Sequence, residues 1–218
     1  RQFAKPVLDA ITQAHQMHHE ICPISGKQVS FGLVRMANIQ PLFTLAQTLL
    51  SLNAPDNMRI HICIYHSRFP MILRSAIENQ LDTSLNRRDS NAVYELGNIR
   101  KCIDSYPEQN HVFVVLGSPV TEEGRDHDYD WAIVEPSSMR SLIQLAGRVL
   151  RHRKKVCTTP NIFIFTKNIR HFYKEVGGDG QPKAVFIKPG FEQQNTPAAA
   201  PFRLISHNLE KLLLPEEY

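Results

Sequence analysis

The chain has 218 residues, 42% of them apolar and 21% charged, with a formal net charge of +4 at pH 7. That length allows one substantial core, and the composition is that of an ordinary globular protein rather than a disordered or fibrous one. No apolar run approaches the roughly 18 residues of a membrane span, so no membrane helix is expected. Cys22, Cys63, Cys102 and Cys157 stand far apart with no C-x-x-C pair, the usage of a reduced, cytoplasmic protein. Cys63 and Cys102 fall in apolar segments and are expected as core thiols. Residues 1–6 show neither an initiator Met nor a signal-peptide pattern, as expected of a piece of a longer polypeptide.

In chain order, residues 3–20 predict an amphipathic helix with Val7, Leu8, Ile11 and Ala14 on one side. His15 and His19, at i,i+4 near its end, fit either a solvated helix terminus or a shared metal. Residues 22–27 form a turn; Gly26-Lys27 lacks the earlier glycine of a phosphate loop. A strand over 28–36 is followed by a helix over 42–52 that Pro41 opens. Next come a strand over 59–66, a helix over 71–81 after Pro70, and a helix over 91–106. The nearly continuous apolar strand 111–117 is what a parallel sheet covered on both faces requires. A strand over 129–135, a helix capped by Ser137 or Ser138 and a strand over 161–166 complete the alternation. The pattern predicts an α/β fold, an open, mostly parallel sheet flanked by helices. Farther on, 177–182 reads as a turn, 184–188 as a short strand, 196–201 as a linker and 202–214 as a last helix.

Residues 141–153, read as one helix, place Leu142, Ile143, Ala146, Val149 and Leu150 on one stripe and Ser141, Gln144, Arg148 and Arg151 opposite. Leu145 fits neither group. The polar stripe holds no acid to pair with its arginines, and Gly147 inside a helix costs about 1 kcal/mol relative to Ala. A solvated face is the bland reading. The sharper one is that an anion approaches, and guanidinium forks match the phosphate oxygens of a nucleoside triphosphate. In the loop 118–130, Ser118 and nearby N–H groups suit a phosphate, and Gly124 suits a tight turn. Asp126 suits a ribose hydroxyl or an arginine. A purely structural acidic loop is the alternative; full calcium spacing is missing and no metal is assigned. His66 and Arg68 at a strand end suit a nucleic-acid backbone. These segments and Arg35 to Asn38 all follow strands, where such sheets gather ligands. Acids crowd residues 104–135 and bases 148–174, a distribution that fits a polyanionic partner beside an acidic loop.

Gln144, Gly147, Arg148 and Arg151 together resemble motif VI of superfamily 2 helicases. The loop from Ser118 through Glu122, Gly124, Asp126, Asp128 and Asp130 resembles motif V, and Tyr65 to Phe69 resembles motif IV. The wording from Val120 to Trp131, followed by 135–148, is similar to the CRISPR-associated helicase–nuclease of type I-F interference systems, over roughly residues 28–167. The resemblance implies a second RecA-like lobe over 28–167, a helix and lead-in over 1–27, and an extension or linker over 168–218. It implies that Arg148 and Arg151 act as arginine fingers, that Gln144 places water or senses nucleotide, and that Gly124, Asp126 and Gly147 serve the nucleotide side. His66, Arg68, Ser118, Arg35 and Asn38 would touch single-stranded DNA. ATP with Mg²⁺ would be shared with a first RecA-like lobe, and a nuclease metal would sit in an HD domain of the parent. An RNA-guided surveillance complex and inhibitor proteins are the implied partners. Motif V here begins with Ser118 where Thr is usual, and Glu123 replaces an apolar residue. With no Walker A loop, D-E-x-[DH] segment or HD pair assignable to a nuclease in these residues (His127-Asp128 falls inside the motif V loop), the piece is expected to be inactive alone. The alternatives from other classes are a non-catalytic interaction module and a transferase lobe for sugar nucleotides.

Overall fold

The layering follows from one strand. β2 (Gln28–Arg35) is buried at every position after Gln28, and a strand apolar on both faces needs cover on both. In the computed structural model, which describes residues 3–153, 155–169, 209–211 and 213–214, helices on each side supply it. β2 lies between β4 (Asn110–Gly117) and β5 (Trp131–Val134). β3 (Met58–Tyr65) flanks β4 and β6 (Ile162–Ile164) flanks β5, giving the order β3-β4-β2-β5-β6. All of these pairings are parallel, and the short β1 (Glu20–Ile21) runs antiparallel beside the start of β2. The expected sheet is the observed one.

Alternate side chains feed two cores. Phe31, Leu33, Val115, Ala132 and Val134 pack under α3 (Met71–Ser84), α4 (Gly97–Asp104) and α5 (Met139–Ala146), which bring Leu81, Ile99, Ile103, Leu142 and Leu145. Val34, Val112, Val114, Leu116, Trp131 and Ile133 meet Val7, Ile11 and Ala14 of α1 (Ala4–His18) and Leu42, Leu45 and Ala46 of α2 (Ile39–Ser51). Trp131 lies so close over Gly32 that a Cβ there would stand 2.2 Å from the indole. No larger residue fits at that point of β2.

Register decides where ligands can gather. Arg35 is opposite both Gly117 and Val134, and Gly117 is opposite Tyr65. Four strands therefore end in one row, and the segments that leave them share one edge of the sheet.

α1 is the expected amphipathic helix, and its apolar side, Val7, Ile11 and Ala14, packs into the second core. Several expectations are corrected. His15 is fully buried rather than solvated, hydrogen-bonded to Ser30 and Asn110. The helix expected over 91–106 is broken at Leu96, whose extended backbone separates a 3-10 turn, Ala92–Glu95, from α4; the turn directs Val93 and Tyr94 into the first core. Cys22 is the fully buried thiol, while Cys63 and Cys102 are half-buried. Beyond β6, Asn168 donates to Pro136 O at 2.5 Å and the Leu209 N–H to Thr166 O at 2.8 Å. The turn at 177–182, the strand at 184–188, the linker at 196–201 and most of the last helix lie outside the described residues. Among the described residues no helix is long and apolar enough to cross a membrane.

Candidate functional site

Ser138 caps α5, its hydroxyl accepting from the Ser141 N–H at 3.1 Å. The helix then stops at Ala146, well before the expected residue 153. The chain turns to follow the acidic loop: Val149 bridges to Tyr129 in parallel, and the Leu150 N–H donates to Tyr129 O at 2.9 Å. Leu150 has φ 49°, a left-handed conformation that costs a bulky residue about 1–2 kcal/mol. The expected stripe is overturned with the helix. Leu145 is 0% exposed and Leu142 9%, whereas Ile143 is 62% exposed. Gly147 is the C-cap with an ordinary φ of −68°, and a Cβ on it would meet nothing closer than 3.5 Å. The backbone does not require glycine there.

The turn after α5 and the loop after β4 enclose an open cavity of about 560 Å³. Glu122, Glu123 and Gly124 line one side, and Arg140, Ile143, Gln144, Gly147, Arg148 and Arg151 the other. Gly124 has φ +60°, the left-handed region that glycine adopts without cost. Arg148 donates to Glu122 O at 3.0 Å, and its Nε is buried with no hydrogen-bond partner. Burial and the neighbouring Arg151 pull this guanidinium below its ordinary pKa. Arg151 donates through Nε to Asp126 and through a terminal nitrogen to Gly147 O at 3.1 Å. That hydrogen bond, with help from His152, holds Asp126 at about 2. Asp126 also accepts from Arg88 at 3.0 Å.

The acid-free helix face is therefore answered across the cavity, and the two arginines are not unpaired. The larger charge asymmetry is resolved in the same way. Arg153 donates to Asp128 and Asp130, which are almost fully buried, and Arg87 donates to Glu20 at 2.7 Å. These contacts raise the Arg153 guanidinium above its ordinary value against the cost of burial. Among the described residues, Arg151 and Arg153 of the basic segment thus pair with acids of the loop within the chain.

The strand-end residues divide. Arg68 is exposed, and half-buried His66 stacks on Phe69 with ring centroids 3.9 Å apart. Burial and Arg68 lower the His66 pKa. Asn38 stands half-buried at the N-cap position of α2. Arg35, expected on DNA, is fully buried: Nε donates to Glu122 Oε1 at 2.5 Å, and other nitrogens reach Glu135 O, Ser137 and Ser141. Ser118 is also covered, 3% exposed, because the 3-10 turn Pro119–Glu122 folds back on it. Arg35 and Ser118 are withdrawn from the DNA-facing set. Sequence reasoning missed Arg140 and Glu122. Helical spacing signals the first, since Arg140 is one turn before Gln144; the second stands in the motif V wording, but nothing local signals its burial against Arg35 and Ser141.

A family model described as CRISPR-associated nuclease/helicase Cas3, C-terminal, matches residues 28–154. The CRISPR-associated nuclease/helicase Cas3 subtype I-F/YPEST of Pseudomonas aeruginosa is 46% identical over 217 residues, covering 99% of this chain and 19% of that protein. Its counterpart from Pectobacterium atrosepticum is 47% identical over 215 residues, covering 97% and 18%. The chain thus spans less than a fifth of the length of these relatives. Among solved structures, T. fusca Cas3-ATP superposes with a TM-score of 0.50 at 16% identity over 74% of this chain and 16% of the other. A second, described as a CRISPR-associated protein, gives 0.50 at 14% identity over 77% and 16%. At such identities the likeness is one of fold.

Proposed function

The chain belongs to the CRISPR-associated nuclease/helicase Cas3 family, and from that membership we propose that it is the second RecA-like motor lobe of an ATP-dependent single-stranded DNA translocase linked to a nuclease. The observation that carries the reading is one cavity, between the loop that follows β4 and the segment from α5 to Arg151, lined together by Gln144, Arg148, Arg151 and Gly124.

The residues fit the phosphate end of a nucleotide. Three arginines line the cavity, and Arg148 holds a buried Nε with no partner. A T. fusca relative of the same fold is described as Cas3-ATP, which supports ATP as the ligand. When bound, ATP with Mg²⁺ supplies the phosphoryl group whose transfer to water drives the motor. Arg148 and Arg151 stabilise charge on the γ-phosphate, a contribution worth about 10³ to 10⁵ in rate for arginine fingers in general. Arg151 exchanges Asp126 for phosphate to do so, and Gln144 orients water or reports the nucleotide. Gly124 allows the loop to turn at the cavity wall. His66, Arg68 and Asn38, which follow the carboxyl ends of β3 and β2, meet the DNA backbone. In this reading Mg²⁺ is held by the first lobe. That lobe, an HD nuclease domain with its own divalent metal, and an RNA-guided surveillance complex are the partners the family brings. The cytoplasm is the compartment where such partners meet.

A second reading, a non-catalytic interaction module, draws on Arg151 being already held by Asp126. Joining this chain to a lobe that carries the Walker loop separates the two. DNA-stimulated ATP hydrolysis is expected from the joined protein and from neither part alone. A joined protein that binds ATP and DNA yet hydrolyses no faster than its first lobe overturns the motor reading.

A further inference from the structure

Glu122 closes the 3-10 turn that leaves β4, and its carboxylate side chain is only 4% exposed. A carboxylate taken out of water needs its lone pairs met. Arg35 Nε donates to Oε1 at 2.5 Å and the Ser141 hydroxyl donates to Oε2. Arg35 also donates to the Ser141 oxygen, so side chains from β2, the turn and α5 close a ring. Arg35 is itself fixed by Glu135 O at 2.5 Å and Ser137 Oγ at 3.0 Å. The carbonyl of Glu122 is what holds Arg148, at 3.0 Å. The carboxylate fixes the peptide, and the peptide fixes the arginine.

The other end of the turn is anchored as well. The Ser118 N–H donates to Tyr65 O at 3.1 Å, and Ser118 O accepts from both the N–H and the hydroxyl of Thr121 at 3.0 Å. A short, internally bonded turn thus runs from the β3 end, beside His66 and Arg68, to the carbonyl under Arg148.

We propose that Glu122 is a positioning residue for Arg148. The Arg35–Glu122–Ser141 ring sets where the Glu122 carbonyl stands, and the turn passes displacements of the DNA-facing strand ends to the guanidinium. The inference rests on the reading of Arg148 as a finger on the γ-phosphate. A shift of about 1 Å in such a group can cost 10²-fold in rate, so small movements suffice for DNA to control turnover.

The test uses the intact parent protein with single-stranded DNA. Ser141→Ala removes one vertex of the ring and leaves the Arg35–Glu122 ion pair; Glu122→Gln removes the charge and keeps the carbonyl. For each, kcat of DNA-stimulated hydrolysis is expected to fall about tenfold or more. KM for ATP and the affinity for DNA are expected to stay within about twofold, because the Glu122 carboxylate and the Ser141 hydroxyl are buried on each other and on Arg35 rather than open to a ligand. Adding Ser141→Ala to Arg148→Ala is expected to slow the enzyme no further, since residues that act through one another are not additive. Unchanged kcat in both variants, with Arg148→Ala inactive, overturns the proposal alone. So does a fall in melting temperature with kcat and KM worsening together, the mark of a merely structural ring. Full turnover in Arg148→Ala takes down the finger reading and this role with it.

Discussion

His15 has no access to solvent between α1 and the sheet, with Nδ1 2.8 Å from Ser30 Oγ and Nε2 3.1 Å from Asn110 Oδ1. An amide oxygen only accepts, so Nε2 carries the proton and Nδ1 accepts from Ser30. Burial lowers the imidazole pKa from 6.5 to about 4. The unfolded chain therefore takes up a proton that the folded chain refuses, and stability from this group is full above pH 6.5 and is lost as pH falls toward 4. The loss amounts to about 3 kcal/mol. Denaturant titrations of the chain and of His15→Gln between pH 7 and 4 are expected to show a stability gap that shrinks with acidity; a constant gap would contradict the assignment. His15 was legible as a histidine on a helix but not as a buried one, because its partner Asn110 is far away in sequence. Arg35 and Arg148 make the same point. Both are arginines beside a motif, and what separates a buried strut from a candidate finger is Glu122, 87 residues from Arg35.

Elements were read well wherever a local period decides them. The apolar runs of β2 and β4 and the helices between strands are all present, since covered strands and amphipathic helices differ in spacing alone. The end of α5 was misread because its cause is tertiary: pairing of Val149 and Leu150 with Tyr129 pulls the chain out of the helix. The correction has a measurable consequence. Leu145→Ala is expected to cost about 2–5 kcal/mol and Ile143→Ala less than about 1 in chemical denaturation, as a buried and an exposed position should differ. The reverse order would restore the longer helix and its original stripe. The acidic and basic blocks were likewise visible in composition, but the pairing of Arg151 with Asp126 and of Arg153 with Asp128 and Asp130 depends on the fold.

At the scale of the molecule, aligned strand ends explain why segments distant in sequence belong to one edge. Motif order and wording made the family legible, because they are read along the chain and need no tertiary partner to be seen. The ring of Arg35, Glu122 and Ser141 was not legible, because buried polar contacts follow no short spacing. The cavity presents arginines from one side and Glu122 and Glu123 from the other. The account stands most directly on Arg148. In the intact parent, Arg148→Ala is expected to keep ATP affinity within about tenfold while DNA-stimulated turnover falls by about 10³ or more. Turnover unchanged by that substitution would contradict it.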